Sequence, residues 1–256
     1  MKKKNTVVIL CGGKGTRLGS IGKKTPKTLV KINDKPILWY ILNALKKNSF
    51  NHFILPTGYK GTMIKNYIKK NHNLSKNCKI DIIPTGTSSL IAKRIFKIKK
   101  YIKSDNFVLL NGDAIFNFDL FKIFKRHIRK KIDTTFLVTE VRFSFGVIGV
   151  VNKKIVSFER DINFESVNIK KSKNFLGYVY SGMAILNKKV LNNKFEKFIN
   201  FEKEFYPIII KKYKTNFEEI KNFWRSIDSQ KDISFLNNKK NKHEHDNIKK
   251  LKNIKI

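Results

Sequence analysis

Cysteine is scarce in this chain of 256 residues: Cys11 and Cys78 are the two present. Both sit in apolar, strand-like runs, so they make no disulfide framework, and a reducing cytoplasm is the expected setting. Long apolar runs are absent too. No stretch approaches the roughly 18 residues of a membrane-spanning helix. The opening "MKKKNTVVILC" imitates a secretion signal, but its apolar part, Val7–Cys11, falls short of the roughly 7–15 residues such a region needs, and glycines follow it. A soluble protein with no membrane partner is expected. No Cys/His cluster has zinc spacing, and "HEHD" at 243–246 reads as solvated. There is no internal repeat.

Acidic residues and arginine are also in short supply. Asp and Glu total 19 against 55 Lys and Arg, a net charge of +36. Such a charge invites a nucleic-acid reading. Only seven of the 55 are arginine and 48 are lysine, however, whereas a surface built to grip phosphates uses arginine forks freely. RNA binding would also gather arginines and aromatics on one face, and here the lysines spread along the whole chain. No nucleic-acid partner is expected. The abundance of Lys with Ile, Asn and Phe fits AT-rich coding, and the basic field favours small anionic substrates.

What is present is an alternation of strands and helices. With 41% hydrophobic residues the chain can bury a substantial core. Strands are expected at 7–11, 52–57, 79–84 and 107–110, and helices at 36–47, 60–70 and 88–103. Ile91, Ile95, Ile98 and Ile102 give the last helix one apolar stripe. This order implies an α/β fold, a Rossmann-like, mostly parallel sheet with helices on both faces. The second half is strand-rich, with strands expected at 134–141, 145–151, 154–159 and 176–186, a helix at 202–213 and another from Ser229. One domain over 1–236 and a basic polar tail over 237–256, flexible or loosely docked, are expected. Asp119 reads as a helix cap and His127 as a surface residue of the helix that follows.

The loop after the first strand, "CGGKGTRLGS", carries the first chemical signal. Its glycines lack the spacing of the G-x-x-x-x-G-K-[ST] loop. Leu18 stands where the dinucleotide fingerprint needs a small residue. Gly-Gly-x-Gly-Thr-Arg followed by Pro26–Lys27 still suits phosphates, because glycine lets backbone N–H groups approach and Arg17 adds a fork. A glycine-rich turn with solvated charges is the bland alternative, and the loop alone does not decide.

Five segments in order do more. "VVILCGGKGTRLGSIGKKTPKTLVKINDKPILWYIL", "FVLLNGDA", "GVIGVVNKKIVSFERD", "YSGMAILN" and "FWRSIDSQKD" resemble the motifs of the sugar-1-phosphate nucleotidyltransferases. The resemblance runs to about Leu236. It implies the GT-A-like nucleotidyltransferase fold with a smaller strand-rich sugar-binding part, and a transfer from a nucleoside triphosphate to a sugar 1-phosphate with release of pyrophosphate. It implies Mg²⁺ held by Asp113 and Asp228, and catalysis by these with Arg17 and Lys27. Nucleotide contacts are expected from Leu10, Gly12, Gly13, Gly15, Thr16, Arg17, Thr85, Gly86, Arg94 and Gly112. Sugar-phosphate contacts are expected from Lys27, Gly146, Glu159, Arg160, Tyr180 and Ser181. Asp228 also reads, more plainly, as the N-cap of the next helix.

"KPILWYIL", "PTGTSSLIAKRI" and "FWRSIDSQKD" resemble the glucose-1-phosphate cytidylyltransferases in particular, so CTP with glucose 1-phosphate is the expected pair. Uridylyl or guanylyl transfer to another sugar 1-phosphate stays open, as does a homo-oligomer. The departures are Thr28 for a proline, Ala114 for a glycine, Ile91–Ala92 for two glycines, Arg160–Asp161 for Lys-Pro and Tyr180–Ser181 for Asn-Gly. They admit a non-catalytic nucleotide-binding protein, against which the retention of Arg17, Lys27, Asp113 and Asp228 argues.

Overall fold

A computed structural model describes residues 4–140, 147–151, 154–159, 178–191 and 195–253. The strands of the first half are β1 (Thr6–Leu10), β2 (Lys31–Ile32), β3 (Lys35–Pro36), β4 (His52–Thr57), β5 (Lys79–Pro84), β6 (Asn106–Asn111) and β7 (Ala114–Asn117). Those of the second half are β8 (Thr134–Thr139), β9 (Val147–Val151), β10 (Lys154–Glu159), β11 (Val179–Asn187), β12 (Thr215–Glu219) and β13 (Phe223–Ser226). The helices are α1 (Gly19–Lys24), α2 (Ile37–Lys47), α3 (Gly61–Lys70), α4 (Ile91–Ile98), α5 (Leu120–Arg129), α6 (Phe201–Lys212), α7 (Gln230–Asn237) and α8 (Lys242–Lys252).

Seven strands form one sheet in the order β12-β8-β11-β6-β1-β4-β5. β1 is parallel to β4 and β6, and β4 to β5. β11 runs antiparallel to β6 and β8, and the edge strand β12 is parallel to β8. β9 and β10 make a separate antiparallel pair, as do β7 and β13.

Two apolar clusters lie on the two faces of the sheet. Val7, Ile9, Val108, Leu110 and Met183 face one cluster, and Val8, Phe107, Leu109 and Ala184 face the other. The two-residue period of a strand, covered on both sides, explains why these strands are continuously apolar in sequence. Helices α2, α3 and α5 cover the first face, and α4 and α6 the second.

Four expectations change. The helix expected over 88–103 shortens to α4 plus a 3-10 turn at Lys99–Tyr101, because Leu90 is extended at φ −70°, ψ 161°. Ile95, Ile98 and Ile102 are buried as the stripe implies, but Ile91 is 37% exposed at the helix start. The tail is not outside the core. α8 buries Ile248 and Leu251 in the first cluster, and Lys252 pairs with Asp34. Its i, i+3 apolar pair was masked in sequence by lysines. Strands β7 and β12 were not foreseen. β12 is an edge strand whose residues are all partly or fully exposed, so it lacks the apolar signature.

His127 is the fourth change: it is buried rather than on the surface. Its Nε2–H donates to Asn106 Oδ1 at 3.2 Å, and its Nδ1 accepts from the Thr135 hydroxyl at 2.8 Å. Asp119, as expected, caps α5 by accepting from Lys122 N at 2.8 Å. Burial pushes His127 down to about 4, against the opposing pull of Asp133. Between about 6.5 and 4 the unfolded chain therefore binds a proton that the folded chain refuses, and stability rises with pH across that window. On acidification from pH 7 to 4, His127 alone is expected to cost on the order of 3 kcal/mol. In urea unfolding, His127→Gln should flatten this part of the pH profile. An unchanged slope would contradict the buried neutral imidazole.

Candidate active site

The chain leaves β1 toward β4 and β5 on one side and returns to β6 on the other. That reversal opens a crevice at the carboxyl ends of β1 and β6, where open α/β sheets bind ligands. A cleft of about 540 Å³ lies there. Leu10, Cys11, Gly12, Gly13 and Arg17 line it from the loop after β1, and Asn111, Gly112 and Asp113 from the end of β6. Lys27 and Thr28 come from a short 3-10 turn, Ser89, Leu90, Ile91 and Arg94 from the start of α4, and Ile199 to Glu202 from the start of α6.

Strand pairing brings two carboxylates together. β7 follows Asp113 directly and pairs with β13, Ala114 opposite Ser226. Ile227 N then donates to Asp113 O at 2.8 Å, which sets Asp228 beside Asp113 although 115 positions of chain separate them. Lys27 Nζ sits between the two, 2.8 Å from Asp113 Oδ2 and 2.8 Å from Asp228 Oδ1. Arg17 Nη2 adds a second cation 2.9 Å from Asp228 Oδ1. Burial works to raise the Asp228 carboxyl. The hydrogen bonds from Lys27 and Ser226 and the charges of Lys27 and Arg17 outweigh it and hold Asp228 below the ordinary range. Asp228 does not cap α7. Ser229 and Asp232 form that capping box, so the Asp228 side chain is released to the cleft cluster.

Arg94 does something the sequence did not show. It is 5% exposed and its Nη1 and Nη2 donate to Thr57 O, Thr85 Oγ1, Gly86 O and Gly12 O, at 3.2, 2.7, 2.9 and 3.0 Å. A Cβ at Gly12 would lie 2.3 Å from the Arg94 Cζ, so the loop has to be glycine there to rest on the guanidinium. Arg94 is thus a clamp under the glycine-rich loop, with its donors turned mainly to backbone. Thr85 and Gly86 belong to the same support and do not line the cleft; Thr85 Oγ1 donates to Thr57 O at 2.7 Å. Gly15 takes a left-handed conformation, φ 63°, that starts the 3-10 turn Thr16–Leu18, and Thr16 is exposed and does not line the cleft.

Tyr180 and Ser181 are not brought to the cleft. Gly182, at φ 76°, makes a bulge in β11 between Tyr180 and Met183, and the strand turns both side chains inward. The Tyr180 hydroxyl bonds Tyr206 at 2.8 Å, and Ser181 Oγ donates to Leu137 O at 2.7 Å. Gly146 and Arg160 lie outside the described residues. Glu159 ends β10, and its side chain lies outside the description.

The cleft also holds groups that sequence reading passed over. Thr28 Oγ1 is buried without a hydrogen-bond partner. Glu202 faces the cleft and is hydrogen-bonded with Asn111. Desolvation pushes its carboxyl up and the Asn111 bond opposes this, while the negative charge of Asp113 adds to the rise. Glu202 resembles any helix-start acid, and Asn111 reads as the end of a strand, so neither carried a signal. Cys11 lines the cleft too, but burial and the Asp113 charge push its thiol far up, which leaves it no nucleophile.

A glycine-rich loop, clustered cations and paired carboxylates at such a crevice define a class, the α/β domains that handle phosphate groups. Within that class, residues 6–233 match the family described as Nucleotidyl transferase, and the chain belongs to it. It is 37% identical over 200 residues to a D-glycero-alpha-D-manno-heptose 1-phosphate guanylyltransferase of Aneurinibacillus thermoaerophilus, covering 77% of this chain and 82% of the relative. It is 29% identical over 257 residues to a Bacillus subtilis protein named as a probable glucose-1-phosphate cytidylyltransferase, covering 90% and 94%. Among solved structures, HddC of Yersinia pseudotuberculosis complexed with GMP-PN superposes with a TM-score of 0.67 at 26% identity, covering 90% of this chain and 96% of that one.

The clamp can be tested apart from the chemistry. Arg94→Lys keeps the charge but loses the fork, and is expected to lower unfolding free energy by about 3 kcal/mol. It should weaken binding of a fluorescent nucleoside triphosphate at least tenfold. Gly12→Ala should do the same to a smaller degree. Wild-type affinity in both variants would refute the clamp.

Proposed function

We propose that this enzyme transfers a nucleotidyl group from a nucleoside triphosphate to a sugar 1-phosphate, giving a nucleotide-sugar and pyrophosphate. The observation that carries the reading is the cluster of Lys27, Asp113, Asp228 and Arg17 at the mouth of a glycine-rich phosphate loop. The attacking sugar-phosphate oxygen is already an anion, so no strong base is required. The task is to align two polyanions and to offset their charge.

Two carboxylates that converge on one nitrogen also converge on one position for a cation. Among the described residues no group of three or more His, Cys, Asp or Glu could hold a metal. A two-carboxylate site completed by phosphate oxygens and waters is what Mg²⁺ uses in phosphate chemistry. Asp113 and Asp228 would hold it, and Mg²⁺ would supply charge neutralisation at the α-phosphate. Loop N–H groups at Gly12 and Gly13 would cradle the triphosphate, with Arg17 on the departing pyrophosphate. Lys27, only 13% exposed, would shift from the carboxylates to a phosphate oxygen.

For the base and the sugar we favour a guanylyl transfer to a heptose-type sugar 1-phosphate as the first pair to assay. The support is the 37% identity to a heptose 1-phosphate guanylyltransferase and the likeness to a structure complexed with GMP-PN. CTP with glucose 1-phosphate is the second reading, supported by the three cytidylyltransferase-like segments and by the 29% relative.

Pyrophosphate release should be measured with each of five nucleoside triphosphates against a panel of sugar 1-phosphates. Asp113→Asn and Lys27→Ala are each expected to lower kcat by about 10²–10³, and chelation of divalent cations should abolish release. Wild-type rates in both variants, or no release from any pair by folded protein, would overturn the reading.

A further inference from the structure

The third carboxylate of the cleft has no duty in the account above. Glu202 lies in the first turn of α6, where an acid ordinarily serves the helix terminus. Here that service is already rendered. Asn200 caps the helix by accepting from Lys203 N at 3.0 Å, and Glu204 reaches back to Asn200 N at 2.6 Å. The other ordinary duty of a surface acid is to pair with a cation. The chain has 55 lysines and arginines for 19 acids. Yet among the described residues none of them forms an ion pair with Glu202, although Arg17 and Lys27 line the same cleft. Its carboxyl is hydrogen-bonded with Asn111 at the end of β6 and feels the charge of Asp113, and the mutually bonded hydroxyls of Tyr180 and Tyr206 lie within its field. A carboxylate offers about four acceptor positions, and Glu202 is exposed where it lines the cleft, so acceptor capacity is left for a ligand there.

An unpaired carboxylate is repulsive to a triphosphate, and Asp113 adds to that repulsion. A ligand group that donates hydrogen bonds and carries no negative charge is what suits this exposed carboxylate. The fold gives the direction. The phosphate loop follows β1, whereas α6 packs through Tyr206 against Tyr180 of β11 and Phe136 of β8, strands on the side of the sheet away from β4 and β5. Neutral donors on that side of two reacting phosphates are the ring hydroxyls of the acceptor sugar. Resting on the transfer reaction proposed above, we infer that Glu202, steadied by Asn111, accepts hydrogen bonds from ring hydroxyls of the sugar 1-phosphate and is a specificity-determining residue for the sugar.

The test compares wild type with Glu202→Gln and Glu202→Asp, using the best sugar 1-phosphate and its mono-deoxy analogues. Glu202→Gln has the same shape and removes the charge. It is expected to lower kcat/KM for the sugar 1-phosphate about ten- to a hundredfold, with KM for the nucleoside triphosphate within about twofold of wild type. Wild type should discriminate against one or two of the deoxy analogues, and the variant should lose that discrimination, because the partner of the missing hydroxyl has changed. A merely structural role would lower the rate with every analogue alike. That uniform loss, or a rise confined to the triphosphate KM, overturns the inference. Wild-type kinetics in both variants overturn it as well, with the transfer reaction left standing. If wild type itself releases no pyrophosphate with any pair, the transfer reaction fails and this inference with it.

Discussion

Two carboxylates held within reach of one lysine nitrogen are the constraint on which the rest of the structure depends. Asp113 and Asp228 repel each other, and a fold that brings them together has to supply positive charge at the same spot. Lys27 does so from a turn stiffened by Pro26, and Arg17 does so from the loop after β1. Each contributor comes from a different stretch of chain. The sheet order, the β7–β13 pairing and the capping box at Ser229 are therefore all conditions of one local charge balance. The same balance would suit the proposed divalent cation and phosphates, whose charges could replace those of the protein.

Beneath that cluster runs a second, rigid layer. A glycine-rich loop has little packing of its own and would cost conformational entropy to order. Arg94 offsets that cost by tying Gly12 to Thr57, Thr85 and Gly86 through one planar guanidinium. Burying it works against its charge and lowers its pKa. The geometry needs an arginine, since a lysine ammonium cannot reach acceptors spread across three loops.

Much of the fold was legible in the sequence. Val7–Ile9 and Phe107–Leu110 are continuously apolar because helices cover both faces, and that pattern announced a parallel sheet. The glycines, Arg17 and Pro26–Lys27 stood out because their pattern suits phosphates, and Asp113 through the resemblance to the nucleotidyltransferase motifs. What stayed hidden was what only tertiary packing decides. Arg94 looked like a ligand contact; it lines the cleft and also clamps the loop from beneath, which the sequence did not show. Tyr180 and Ser181 looked like sugar contacts, and beside the bulge at Gly182 their hydroxyls are instead bonded to Tyr206 and Leu137. His127 carries the composition of a surface helix but meets Asn106 and Thr135 in the interior. Glu202 and Asp228 share a lesson. Each sits at a helix start, and each is freed from capping because a neighbour does it, Glu204 with Asn200 in one case and Ser229 with Asp232 in the other. Sequence cannot tell the capper from the freed acid.

The central claim is that Asp113 and Asp228 act together, as one cation site completed by triphosphate oxygens. Titration of Mn²⁺ followed by electron paramagnetic resonance, with and without a non-hydrolysable nucleoside triphosphate, tests it most directly. The account predicts about one tightly held Mn²⁺ per chain only when the triphosphate is present, weakened alike by Asp113→Asn and Asp228→Asn. Mn²⁺ binding that both substitutions leave unchanged would contradict it.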